Sequence, residues 1–126
     1  MHIITQILLA IVAIEHLFFL YMEMFAWTTL GRKAFGKALP HHLFEPTKAL
    51  AANQGLYNGF LAAGLVWSLL ITDYEWAISV ALFFTGCVLV AAIYGGLSAS
   101  KKILVIQGIP AAIAMLALLL LENRLA

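Results

Sequence analysis

The chain has 126 residues, of which 64% are hydrophobic and 10% are charged, and its formal net charge is +1. So few charged residues cannot cover a water-exposed surface, which excludes an ordinary soluble domain. The small net charge and the lack of a basic run with interleaved aromatic residues exclude nucleic acid as a partner. The length leaves room for about four membrane-crossing helices and one loop, so we predict a single membrane domain covering residues 1–126.

Four apolar segments predict an all-α, integral membrane four-helix bundle. They cover about residues 3–27, 47–71, 76–97 and 103–121. Each is long enough to cross a hydrocarbon core of about 30 Å. The first segment has no basic start and is too long for the apolar region of a cleavable signal peptide, so it is interpreted as a membrane helix.

The connections between these segments differ in length. In the long loop, residues 28–46, four glycines and prolines are expected to break helix. Those residues are Gly31, Gly36, Pro40 and Pro46. The other two connections are predicted to be tight turns, one acidic around Asp73 and one basic around Lys101.

Basic residues are distributed unevenly between the two predicted sides. One side carries Arg32, Lys33, Lys37, Lys48, Lys101 and Lys102. The other side carries Arg124 alone. Because Lys and Arg are retained on the cytoplasmic side, the long loop is predicted to be cytoplasmic and both termini non-cytoplasmic. The sequence thus predicts a multi-pass protein of the plasma or inner membrane.

Polar side chains interrupt the apolar segments and form the candidate site. They are Glu15, His16 and Glu23 in the first segment, Asn53, Gln54 and Asn58 in the second, and Gln107 in the fourth. A charge at the bilayer centre costs on the order of 2.5 to 3.5 kcal/mol, so each needs a partner or a function. Two interpretations stay open: a hydrogen-bond network that holds the bundle together, and a proton-exchanging or ligand-binding site around Glu15 or His16.

Small residues suggest close helix contacts. Gly55 and Gly59 lie four residues apart and allow a close approach of another helix. Together with Gly95 and Gly108 they offer more close-packing faces than one bundle is expected to use. This predicts a symmetric homo-oligomer, with a trimer favoured, surrounded by membrane lipids.

The residues identify no metal site and no cofactor. His41, His42 and Glu45 come nearest to a metal-binding group, but their spacing is not diagnostic. The single cysteine, Cys87, has no disulfide partner within the chain and is interpreted as a small apolar filler.

Two stretches resemble a family of small membrane proteins known only as domain of unknown function 1304. They are residues 15–27, EHLFFLYMEMFAW, and residues 53–59, NQGLYNG. The resemblance covers nearly the whole chain and brings no established activity with it.

Other features are similar to the membrane-associated proteins in eicosanoid and glutathione metabolism (MAPEG), which are four-helix enzymes that assemble as trimers. They are residues 31–36 (GRKAFG), Asn53, residues 94–96 (YGG) and residues 107–110 (QGIP). The similarity implies a MAPEG-like up-down topology and a trimer. Glutathione binding is not implied, because Ala49 and Ala52 stand where glutathione-binding members have arginines ahead of the Asn.

These observations predict an oligomeric membrane protein that binds or acts on a lipophilic small molecule between helices. The site is expected near the cytoplasmic ends of the first two segments, where Glu23, Asn53 and Gln54 lie at similar depth. Two alternatives stay open: a proton-coupled exporter that uses Glu15, and a structural or assembly subunit. The residues do not decide whether the protein is an enzyme.

Overall fold

The computed structural model describes residues 1–122, and all regular structure in this range is helical. The helices are α1 (Ile3–Phe25), α2 (Arg32–Phe35), α3 (Lys48–Leu70), α4 (Tyr74–Ser98), α5 (Lys101–Ile103) and α6 (Ile109–Leu121). A π-helical turn at Leu104–Gly108 joins α5 to α6, so Lys101–Leu121 forms one continuous stretch, here called the C-terminal helix. The four long helices lie within about one helical turn of the apolar segments predicted from the sequence.

The four long helices pack in a ring, so that each contacts two neighbours. α1 packs against α3 and α6, and α4 packs against α3 and the C-terminal helix. Apolar side chains from all four helices meet at the centre. They are Leu9, Val12, Ala13, Leu65, Ile78, Ala81, Val88, Ala111, Ala114 and Leu118. The core therefore runs between the helices and leaves their outer faces to the surroundings.

The outer faces carry large apolar side chains. Leu97 is 83% exposed and Leu70 is 74% exposed. Within residues 1–122, three helices are long and apolar enough to cross a membrane: α1, α4 and the C-terminal helix. α3 is as long as α1, with 23 residues, but its amide side chains make it less apolar. These features indicate a membrane protein, since such a surface is unfavourable in water.

The long loop contains short helical segments and packs around aromatic side chains. Gly31 has helical angles, φ −58° and ψ −44°, and continues the chain into α2, so the expectation that it breaks the helix is wrong. A Cβ at this position would lie 2.7 Å from the Trp27 ring, which explains why the position suits glycine. Phe44 is fully buried, with its ring centroid 5.1 Å from that of Trp27. Trp27 Nε1 also donates a hydrogen bond to Thr47 Oγ1 at 3.0 Å, which ties the loop to the start of α3.

Hydrogen bonds link the connections at each end of the bundle. At the basic end, Lys102 Nζ donates to Ala34 O at 3.5 Å, so α2 and the start of the C-terminal helix lie together. At the opposite end, Glu122 accepts hydrogen bonds from the His2 backbone N–H at 2.7 Å and from the Tyr74 hydroxyl at 2.6 Å. Neighbouring long helices consequently run in opposite directions.

The glycines behind the predicted oligomer are all used within the chain. A Cβ added to Gly55 would lie 2.8 Å from Met24, and one added to Gly59 would lie 2.5 Å from Leu20. One added to Gly95 would lie 2.9 Å from Ile103, and one added to Gly108 would lie 3.5 Å from Ala92 Cβ of α4. The assumption that one bundle cannot use all four glycines is therefore wrong, because these helices approach each other closely enough to fill every one of those faces. The trimer itself stays a prediction.

Candidate functional site

The polar residues predicted to form a site are divided between two cavities and the bundle interior. The large cavity, of about 920 Å³, lies at the basic end and is bounded by α1, the long loop, α3, α4 and the C-terminal helix. The side cavity, of about 470 Å³, lies between α1, α2 and the C-terminal helix. Both volumes fall in the usual range for small-molecule sites, about 300–1,000 Å³.

A hydrogen-bonded pair stands on the wall of the large cavity. Asn58 is 5% exposed, and its Nδ2 donates to Glu23 Oε2 at 2.7 Å. Gly55 lies three residues before Asn58 and shares its helix face. A Cβ on Gly55 would lie 3.0 Å from Glu23 Cβ, so the glycine lets α3 come close enough for the two polar side chains to meet. The pair is thus built by a close contact between two helices.

Further polar groups line the same cavity. Gln54 and Gln107 are part of its wall, and so are Tyr94 and Ser98. Gln107 belongs to the π-helical turn and lines both cavities. Such turns change which way the following side chains face and recur at functional sites. The large cavity therefore offers one carboxylate, three amides and hydroxyl groups within a largely apolar wall.

Glu15 belongs to the side cavity. Its Oε1 atom is buried and accepts no hydrogen bond from any residue in the described range 1–122. The cavity around it is mostly apolar, with walls formed by Phe18, Phe19, Met22, Ala34, Phe35, Ile103 and Ile106. Lys102 and Gln107 complete the lining. A carboxyl oxygen in such surroundings is an acceptor that lacks a donor.

His16 lies apart from both cavities. Its side chain is fully buried, and Nδ1 lies 2.8 Å from Val12 O within the same helix. The imidazole packs edge-on against Phe19, with ring centroids 5.5 Å apart. Glu15 and His16 are adjacent in sequence, but their side chains lie in different surroundings, because consecutive residues of a helix point about 100° apart. His16 is thus enclosed in the bundle interior, where its Nε2 atom is buried without a hydrogen-bond partner among residues 1–122.

Asn53 also lies outside both cavities. It is exposed on α3, whereas its neighbour Gln54 lines the large cavity together with Glu23. The structure thus brings Glu23, Gln54, Asn58 and Gln107 together at the large cavity. It places Glu15 in the side cavity, which shares Gln107, and it leaves His16 and Asn53 outside both. The deciding factor is the direction in which each side chain leaves its helix.

Several polar positions were missed in the sequence. Tyr94 and Ser98 lie four residues apart, so they share one face of α4, and Ser98 Oγ donates to Tyr94 O at 2.7 Å. Their depth, close to the predicted cytoplasmic end of α4, matches that of Glu23 and was the available signal. Lys102 at the side cavity carried no comparable signal, since the sequence showed it only as part of a basic turn.

Glu122 is a buried acid that sequence reasoning overlooked. It follows the last helix and is 5% exposed. Burial by itself would raise its pKa, but the hydrogen bonds from Tyr74 and the His2 backbone N–H outweigh burial and hold the pKa below the ordinary value of 4.5. The Glu122 carboxyl thereby links the N-terminal residues, the start of α4 and the end of the C-terminal helix, at the end of the bundle opposite to the large cavity.

No metal centre forms among residues 1–122, where no three His, Cys, Asp or Glu side chains are grouped as ligands would be. His41 instead packs against the Phe44 ring, with centroids 6.2 Å apart.

Known proteins place the chain in a family. The family model described as "Protein of unknown function (DUF1304)" matches residues 10–119. The uncharacterized protein YpaA of Lactococcus lactis subsp. lactis (strain IL1403) is 33% identical over 120 residues, which cover 94% of this chain and 97% of YpaA. No solved structure matches the chain. The chain therefore belongs to the DUF1304 family, which confirms the resemblance of residues 15–27 and 53–59, whereas the similarity to MAPEG proteins is not shown.

Proposed function

We propose that this protein binds a lipophilic small molecule with an uncharged polar group in the large cavity. The hydrogen bond between Asn58 and Glu23 on the wall of this cavity is the observation that carries the proposal. Apolar walls accept the body of such a molecule, and a few fixed polar groups orient its head. Gln54 and Gln107 each add a donor and an acceptor within the same wall.

The site is further proposed to lie in the cytoplasmic half of a four-pass protein. α3 has 23 residues and is about 34 Å long at 1.5 Å per residue, enough for a crossing. It packs between α1 and α4, so membrane helices flank its polar residues on two sides. The contact between Lys102 and Ala34 supports placing both basic connections on one side, which the positive-inside rule makes cytoplasmic. Arg124, the single basic residue predicted for the opposite side, lies outside the described residues.

Cys87 provides a direct assay in the unmodified protein. It is the chain's single cysteine and lines the large cavity, partly buried. We expect saturating 1-dodecanol or dodecanamide to slow its alkylation by N-ethylmaleimide in nanodiscs, measured by intact mass spectrometry. A molecule that fills the cavity blocks the reagent's access to the thiol.

Two matched Glu→Gln variants test the role of the pair. Glu23→Gln keeps the side-chain shape but removes the negative charge to which a ligand hydroxyl or amide N–H would donate. A hydrogen bond to a charged group is worth about 1.5–3 kcal/mol, so protection should require at least roughly tenfold more ligand. Glu45→Gln alters an exposed carboxyl that lines neither cavity and should protect like the wild type. Equal protection in both variants, or no protection by either compound, would refute the proposed site.

The other expectations remain predictions. They are a trimer, a MAPEG-like fold, a proton-coupled exporter and an assembly subunit.

A further inference from the structure

We propose that the side cavity is a second, separate binding site and that it takes a lipophilic amine. Its walls come from α1, α2 and the C-terminal helix, and most of the lining side chains are apolar. Glu15 stands among them with one carboxyl oxygen buried and without a donor in the described chain. The side cavity therefore combines an apolar lining with one carboxyl oxygen that lacks a hydrogen-bond donor.

The missing donor determines the chemical class of the ligand. A buried carboxylate is costly unless a partner donates hydrogen bonds to it or neutralises its charge. A protonated primary amine does both, because its ammonium group has three N–H donors. A hydrocarbon tail attached to that amine would contact Phe18, Phe19 and Ile106, which line the same cavity. One amphiphilic molecule thereby satisfies the acid and fills the apolar space.

Lys102 does not turn this cavity into an anion site. Its side chain is exposed, and its Nζ lies 3.5 Å from Ala34 O, to which it donates. Long basic side chains commonly line apolar surface with their methylene groups while the charge stays in water. The charge of Lys102 is therefore screened at the mouth, whereas the carboxyl oxygen of Glu15 is buried inside. The inner acceptor decides which head group is bound.

The two cavities remain distinct sites with some shared walls. Phe35, Ile103 and Gln107 line both, and Glu15 and Glu23 each line one. Separate carboxyl groups thus serve separate cavities, so each site has its own diagnostic Glu→Gln variant. Loss of amine binding in Glu15→Gln does not bear on protection of Cys87 by 1-dodecanol, and the converse also holds.

Thermal unfolding in nanodiscs tests the amine site. Increasing concentrations of dodecylamine should raise the Tm of the wild type to a plateau. In Glu15→Gln most or all of that increase in Tm should be absent. Dodecyltrimethylammonium has the same charge and tail but no N–H donor, so it should give a smaller shift. Glu45→Gln is the matched control on an exposed carboxyl and should respond like the wild type.

A further pair of variants covers the other outcomes. Lys102→Gln should not weaken the response to dodecylamine. If Glu15→Gln does not fold, Ile106→Trp serves in its place, because the larger side chain fills the cavity without altering the acid and should also abolish the shift. An undiminished Tm shift in Glu15→Gln, or in Ile106→Trp, would overturn the proposal. Stabilisation by dodecanoate that depends on Lys102 would overturn it as well, since it would show an anion site.

Discussion

The close contact between α1 and α3 can be tested with a pair of Gly→Ala variants. At Gly55 an added Cβ would lie 2.8 Å from Met24 Cγ, 3.0 Å from Glu23 Cβ and 3.1 Å from Leu20 O. The last two atoms cannot move away unless α1 itself moves. At Gly86 the nearest atom to an added Cβ is Met115 Cε at 3.9 Å, which is ordinary contact. The two positions therefore differ in crowding while both lie inside long helices.

The expected change in unfolding free energy has two terms. Helix propensity applies to both variants, and overpacking applies to Gly55→Ala only. Alanine favours a helix over glycine by about 1 kcal/mol in both variants. Overpacking costs about 1–3 kcal/mol and applies at Gly55 alone. Gly86→Ala should therefore be more stable than the wild type by up to about 1 kcal/mol, and Gly55→Ala should be less stable than Gly86→Ala by about 1–3 kcal/mol.

Unfolding by sodium dodecyl sulfate in mixed micelles, followed by far-ultraviolet circular dichroism, measures this difference. The helix-propensity gain cancels between the variants, so the difference reports the packing cost. Because the crowded atoms include Glu23 Cβ, Gly55→Ala should also weaken protection of Cys87 by 1-dodecanol. Equal stability of the two alanine variants would refute the argument that Gly55 allows the α1–α3 contact.

Two further predictions concern the ends of the bundle. Because the folded-state pKa of Glu122 lies below 4.5, its stabilisation should be complete above about pH 4.5 and lost as the pH falls through the folded-state value, seen as a falling Tm. Tyr74→Phe removes one donor and should reduce that loss relative to the wild type, and an unchanged pH profile would contradict the role of the hydrogen bond. In a Cys87→Ala background, a membrane-impermeant maleimide should label Glu45→Cys only from the cytoplasm and Thr72→Cys only from outside. Mixed or reversed labelling would contradict the proposed orientation.

The helical plan could be read from the sequence because it depends on local composition. A run of apolar residues such as 103–121 is expected to lie in lipid, which offers no hydrogen-bond partners. The backbone groups of that run must then pair with one another, and a helix achieves this. Asp73 and Ser100 mark helix starts by a local rule, and each accepts a hydrogen bond from a backbone N–H of the first turn. The family was likewise recognisable from two short stretches, since motif order along a chain needs no tertiary information.

The site needed the tertiary structure, because helical periodicity shows which residues share a face but not which helix that face meets. The sequence did not show which acid of α1 would meet Asn58, and the packing of α3 on α1 at Gly55 pairs Asn58 with Glu23. The folding of the long loop around Phe44 was equally hidden, since that ring is buried by Trp27, which lies 17 positions earlier in the sequence. Composition and local backbone chemistry determine the helices, and only long-range packing decides which polar side chains line a common cavity.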